Sequence, residues 1–138
     1  MKRYLITLSL FVITSACSQI PSVDIKTIDG RIINTSEFEN GNSPIIMSFW
    51  ATWCKPCKEE LANINEVYED WQEETNVKLI AISIDDMRNA SKIKPLVNSK
   101  GWEYEVYHDS NSEFATKMGV KPIPVSYTHL RAHETCLD

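Results

Sequence analysis

Apolar and polar residues alternate along this chain with different periods, and each period predicts a different element. Val23-Asp24-Ile25-Lys26-Thr27-Ile28 alternates with period two, the pattern of a half-buried strand. Asp29-Gly30 is a turn signal and Arg31-Ile32-Ile33 returns from it, so the stretch predicts a β-hairpin. Thr35-Ser36-Glu37-Phe38 predicts a short helical turn, followed by a loop from Glu39 to Ser43. Pro44 to Ala51 is almost continuously apolar, as a short strand buried on both faces would be. Beyond it Cys57, Leu61, Ile64, Tyr68 and Trp71 recur at helical spacing and mark one face of a helix. Val77 to Asp85, VKLIAISID, is a second buried strand, so strand, helix and strand follow in the order of a βαβ unit. Asp86 to Lys100 predicts a second helix, weakened by Pro95 and ended by Gly101. Trp102 to His108 predicts a short strand, and Ser112 to Met118 a short helix stopped by Gly119.

Composition narrows the class. The 138 residues suffice for one domain. At 43% hydrophobic and 24% charged the chain belongs with folded domains rather than disordered ones. Fourteen Lys and Arg face nineteen Asp and Glu, a net charge of -5, which argues against a nucleic-acid partner. Four cysteines, Cys17, Cys54, Cys57 and Cys136, invite a two-disulfide reading with three pairings, but their contexts differ.

Trp53-Cys54-Lys55-Pro56-Cys57 lies between a buried strand and a helix. Two cysteines at that spacing can bond to each other with little backbone movement. A helix N-terminus beside the first sulfur offers free N–H groups and the positive end of the dipole. Both favour the thiolate, which is the nucleophile. Lys55 adds a positive charge that is expected to point to water, and Pro56 suits a first helical turn. Other uses of the pair fit less well. Zinc needs two further ligands, a c-type haem needs His where Lys58 stands, and a disulfide across so small a loop constrains little of the unfolded chain.

The stretch WATWCKPCKEE after an apolar strand resembles the thioredoxin superfamily and, more narrowly, the exported TlpA/ResA-like thiol–disulfide reductases. Asp29-Gly30, SFWATWCKPC, AISID and Gly119-Val120 through Pro124 carry the likeness from Val23 to Pro124. It implies an α/β, thioredoxin-like fold with an N-terminal β-hairpin. It also implies an exposed attacking Cys54, a buried resolving Cys57, and a cis-proline at Pro124, after Ile123, that faces the pair and offers a backbone edge to substrate. Trp53, Ile123 and Pro124 are the expected substrate contacts, and Trp50 and Trp53 are also expected to pack around and shield the pair. Glu60 matches the family's acidic residue. One helical turn beyond Cys57, a partly buried carboxylate could accept the thiol proton. Ser48 stands where thioredoxin has a buried aspartate, which gives Glu60 more weight. Glu59 is expected at the surface, and His108 at the surface or a strand end rather than as a base.

The two ends read differently. Lys2 and Arg3, the uncharged run Tyr4 to Ile13, and Thr14-Ser15-Ala16 have the form of a secretory signal, too short for a permanent span of roughly 20 residues. Ile13 to Cys17 resembles a bacterial lipobox, with Thr14 departing from the usual aliphatic residue, and implies acylation of Cys17. At the other end VSYTHLRAHET, Val125 to Thr135, resembles the translation of a sequencing-library adapter. His129, His133 and Cys136 are therefore discounted as metal ligands. The resulting division is a signal peptide over 1–16, a lipid-anchor linker over 17–22, a thioredoxin-like domain over 23–124 that is truncated after the cis-proline position, and adapter-derived residues over 125–138. The family continues with two antiparallel strands and a helix, so the chain as written is expected to be destabilised or misfolded. The function implied is that of an exported, periplasm-facing lipoprotein that reduces protein disulfides, as in cytochrome c maturation, and is recharged by an upstream membrane electron donor. No metal and no cofactor beyond the Cys54–Cys57 pair is expected. A membrane-tethered binding module without turnover and a thiol peroxidase are the alternatives.

Overall fold

The computed structural model describes residues 20–129; the signal-like segment, Cys17, His133 and Cys136 lie outside them. The alternating stretch forms strand β1 (Asp24–Thr27), which turns at Asp29-Gly30 into β2 (Ile32–Asn34). Gly30 takes φ +84° there, a left-handed value that glycine adopts without a Cβ clash. A 3-10 turn follows at Thr35–Glu37. It is closed by a capping box in which the Asn34 side chain accepts from the Ser36 amide and Glu37 accepts from the Asn34 amide.

The apolar run forms β3 (Ile45–Trp50), and helix α1 (Lys55–Thr75) carries the chain over to β4 (Lys78–Ser83). β3 and β4 pair in parallel, the crossover that the strand–helix–strand pattern predicts. Helix α2 (Ala90–Lys100) leads to β5 (Glu105–His108), parallel to β4. A short α3 (Glu113–Lys117) and β6 (Val125–His129) complete the order β2-β1-β5-β4-β3-β6. The N-terminal hairpin is part of this sheet, because β1 also pairs antiparallel with β5.

Both faces of the sheet are covered. Along β3, Trp50 packs toward α1 and α2 with Leu61, Leu79 and Val97. Met47 and Phe49 point the other way, toward Phe114 of α3 and Phe38. This alternation on a strand buried on both sides is why the sequence shows an unbroken apolar run.

Several expectations need correction. Trp71 continues the helical spacing yet is 37% exposed, because α1 extends past the sheet that buries Cys57, Leu61 and Tyr68. Helix α2 begins at Ala90 rather than Asp86. The Asp86 side chain and carbonyl both accept from the Asn89 amide, and this local turn competes with helix. His108 ends β5 as expected but is buried, with Nε2 2.7 Å from the Asp85 carbonyl oxygen. The sheet does not stop at Pro124: Val125–His129 pairs antiparallel with β3, from Phe49↔Val125 to Ile45↔His129. VSYTH alternates with period two, and β3 has an edge to offer; these two facts suffice for pairing, whatever the origin of the segment.

Candidate active site

The site is built at the C-terminal end of β3. After Trp50 the chain makes a tight turn in which the Cys54 amide donates to the Ala51 carbonyl at 3.0 Å. Cys54 then caps α1 in extended conformation (φ -83°, ψ 99°). Pro56 sits in the first helical turn, where the missing N–H costs nothing. Cys54 and Cys57 form a disulfide with Cα atoms 5.4 Å apart. The Cys54 Sγ also accepts from the Cys57 amide at 3.4 Å. One of the orphan donors of the helix start is thus aimed at the first sulfur, where it would stabilise a thiolate.

Burial separates the parts of the motif. Cys57 is 1% exposed, as expected for a resolving sulfur. Cys54 is only 5% exposed, less open than the expected attacking residue, because in the disulfide its sulfur is turned inward to Cys57. Trp53 is 63% exposed and stands beside the pair as a free apolar surface. Lys55 reaches into solvent and pairs with Glu59 at 3.6 Å, both well exposed, in line with the expected roles. Trp50 is fully buried and packs edge-on against Trp102.

Glu60 lies one turn beyond Cys57. Its Oε1 accepts from the Ser126 hydroxyl at 2.9 Å, whereas its Oε2 is buried without a hydrogen-bond partner. Ser48, the register partner of Ser126, and Trp50 also carry buried polar atoms without partners, Oγ and Nε1. The Ser126 contact ties the Glu60 side chain on α1 to β6 beside β3. Ile123 is half-buried and packs against the cluster that contains Cys54 and Cys57. The Ile123–Pro124 bond is cis, as is Lys121–Pro122, and Pro124 is exposed. Cys17 lies outside the described residues. Among those residues no group of three or more His, Cys, Asp or Glu could hold a metal ion, and no helix is long and apolar enough to cross a membrane.

Sequence reasoning missed Thr52, Ser83, Asp85 and Ser126. Asp85 was in view only as the end of AISID. Its carboxylate, fully buried, accepts from the Thr52 amide at 2.8 Å, the Thr52 hydroxyl at 2.7 Å and the Ser83 hydroxyl at 2.7 Å. A polar residue ending a buried strand was the available signal, since a buried carboxylate must find donors. Ser126 lies in the adapter-like stretch, where nothing in the sequence points to a role.

Comparison with known proteins agrees with this geometry. Residues 17–133 match the AhpC/TSA family. A thioredoxin-like protein from Porphyromonas gingivalis is 52% identical, over 80% of this chain and 72% of its own, with a TM-score of 0.71. The thiol-disulfide oxidoreductase ResA of Bacillus thuringiensis strain Al Hakam is 29% identical over 79% of this chain. StoA from Bacillus subtilis shares the fold at 24% identity and a TM-score of 0.62, over 80% of this chain and 81% of its own. The chain spans 60% of the length of the ResA relative.

Proposed function

The chain belongs to the AhpC/TSA family, with a thioredoxin-like fold, and on that premise we propose that it is an exported thiol–disulfide oxidoreductase that reduces protein disulfides. The observation that carries this reading is the Cys54–Cys57 disulfide at the start of α1, with the Cys57 amide directed at the Cys54 sulfur.

In the reduced protein the Cys54 thiolate attacks one sulfur of a substrate disulfide. A bond forms between Cys54 and that sulfur, the substrate S–S bond breaks, and the other substrate sulfur leaves as a thiolate. Cys57 then loses its proton to Glu60 and attacks the Cys54 sulfur. The Cys54–Cys57 bond closes and the second substrate thiolate is released. Two electrons have passed from the protein dithiol to the substrate. The unpartnered Glu60 Oε2 supports its role as proton acceptor. Exposed Trp53 and Pro124, with Ile123 beside the pair, support a role in holding an extended substrate segment.

The signal-like N-terminus and Cys17 support an envelope location with a lipid anchor. Replenishing the dithiol then requires a membrane electron donor, and maturation of cytochrome c is one setting that needs such a reductant. Cys54→Ser should abolish insulin-disulfide reduction by the reduced protein, and retained turnover would refute the assignment. Labelling with a radioactive fatty acid should mark the wild type and not Cys17→Ser. Equal labelling of the two would remove the anchor.

A further inference from the structure

The turn that presents Cys54 is tied to the neighbouring strand through a single side chain. In the Ala51–Cys54 turn the closing bond uses the Cys54 amide and the Ala51 carbonyl. That leaves the Thr52 amide unused within the turn. Asp85 takes it: Oδ2 accepts from the Thr52 N–H at 2.8 Å and Oδ1 from the Thr52 hydroxyl at 2.7 Å. One carboxylate thus grips both donors of one residue, which fixes the orientation of Thr52 as well as its position.

The carboxylate is itself held. The Ser83 hydroxyl donates to Oδ2 at 2.7 Å and accepts from the Asp85 amide at 3.1 Å. The Asp85 carbonyl accepts from His108 Nε2 at 2.7 Å, at the end of β5. The strand ends are joined as well, with the Ile84 amide donating to the Trp50 carbonyl at 2.9 Å and the Asp109 amide to the Ser83 carbonyl at 2.8 Å. Asp85 is 0% exposed, so this clamp does not compete with water.

We propose that Asp85 is a positioning residue for disulfide exchange: through Thr52 it fixes the Ala51–Cys54 turn, and so sets where Trp53 and the Cys54 sulfur stand relative to α1 and to substrate. The inference rests on the exchange chemistry proposed above. The consequence is geometric. With the turn pinned, the Cys54 sulfur stays beside the Cys57 amide; with it loosened, that contact is lost and the thiolate is less stabilised.

Three variants of the full chain separate the possibilities. Asp85→Asn can rebuild the clamp, its Oδ1 accepting from the Thr52 amide and Ser83 while its NH2 donates to the Thr52 hydroxyl, which also accepts. Thr52→Val removes one anchor and keeps the shape, and Asp85→Ala removes both. Each would be assayed in three ways: kcat/KM on a peptide disulfide, the pH profile of Cys54 alkylation by iodoacetamide in the reduced protein, and a thermal melt. Thr52→Val and Asp85→Ala should lower kcat/KM about tenfold or more, as small misplacements of reacting groups do, and should move the alkylation profile to higher pH. Asp85→Asn should stay within about threefold of wild type, because the hydrogen bonds are restored.

An unchanged kcat/KM and profile in Thr52→Val would overturn the proposal, even if its melting point fell. So would a profile that moves for Asp85→Asn but not for Thr52→Val, since that outcome assigns the effect to charge. Should Asp85→Ala not fold, the other two variants still decide. Wild-type protein that alkylates normally but turns over no disulfide would sink the exchange reading, while the alkylation profiles would still report on the clamp.

Discussion

Single residues divide the chemistry between them, and they differ in how openly the sequence announces them. Cys54 and Cys57 are announced by spacing, because a covalent bond between neighbouring turns fixes the separation its partners can have. Glu60 is singled out by family likeness alone, since its helix carries many carboxylates. What distinguishes it is a half-buried carboxylate with one oxygen on Ser126 and the other without a partner. Glu60→Gln keeps the shape of the side chain and removes its basicity. The first step, attack by Cys54, should proceed at nearly the wild-type rate. Release of substrate from the mixed disulfide should slow by about a hundredfold, the scale of general-base assistance. Quenched-flow mass spectrometry can follow the mixed disulfide directly, and an unchanged lifetime would show that the Cys57 proton leaves by another route.

Elements follow the sequence wherever one period runs long enough to be recognised. The buried strands β3 and β4, the helix between them and the Asp29-Gly30 hairpin were all legible for that reason. The start of α2 was not, since the Asp86 side chain offers the backbone a turn that competes with helix. The end of α2 was legible, and it yields a prediction. Gly101 closes that helix at φ +62°, with its amide shared between the Asn98 and Val97 carbonyls. Gly101→Ala must hold a left-handed backbone with a Cβ, which costs about 1 kcal/mol. The melting point should fall by roughly 5 °C with exchange activity unchanged; an unaltered melting point would show that this cap is not limiting.

Tyr104, just before β5, donates to the Leu61 carbonyl of α1 at 3.3 Å and is buried. Burial raises its pKa well above the ordinary 10.0. Burial, followed by its hydrogen bond to Glu105, does the same for Tyr107. A phenol whose pKa is raised on folding contributes stability that is fully present below its unfolded pKa. That stability is lost as pH climbs from there toward the folded value, because only the unfolded chain can ionise. Stability should therefore fall steadily above about pH 10. In Tyr104→Phe the slope of that fall should be smaller, although the variant starts from lower stability for want of the Leu61 bond. Urea melts from pH 8 to 11 would measure both, and identical slopes would exclude Tyr104 as a source.

At the scale of the molecule, the α/β architecture was legible and the strand after Pro124 was not. The stretch after Pro124 resembles a translated adapter, yet in the structure Val125–His129 covers the edge of β3. Without β6, a strand buried on both faces would expose its N–H and C=O groups along five paired positions, Ile45 to Phe49, an invitation to edge-to-edge association. β6 also contributes side chains. Tyr127 meets Phe49 edge-on at 6.2 Å and donates to the Met118 carbonyl at 3.1 Å, so it ties the new edge to the α3 side of the core. Tyr127→Ala should cost about 2 kcal/mol, less than a fully buried aromatic, and lower the melting point by roughly 10 °C. A chain ending at Pro124 loses the ladder as well, so it should melt lower still, less cooperatively, and scatter light on heating. The ordering of the three melts is the test. Equal midpoints for the 138-residue chain, Tyr127→Ala and the shortened chain would mean that β6 adds no stability. A graded fall would mean that whatever sequence follows Pro124 must supply a strand at this edge.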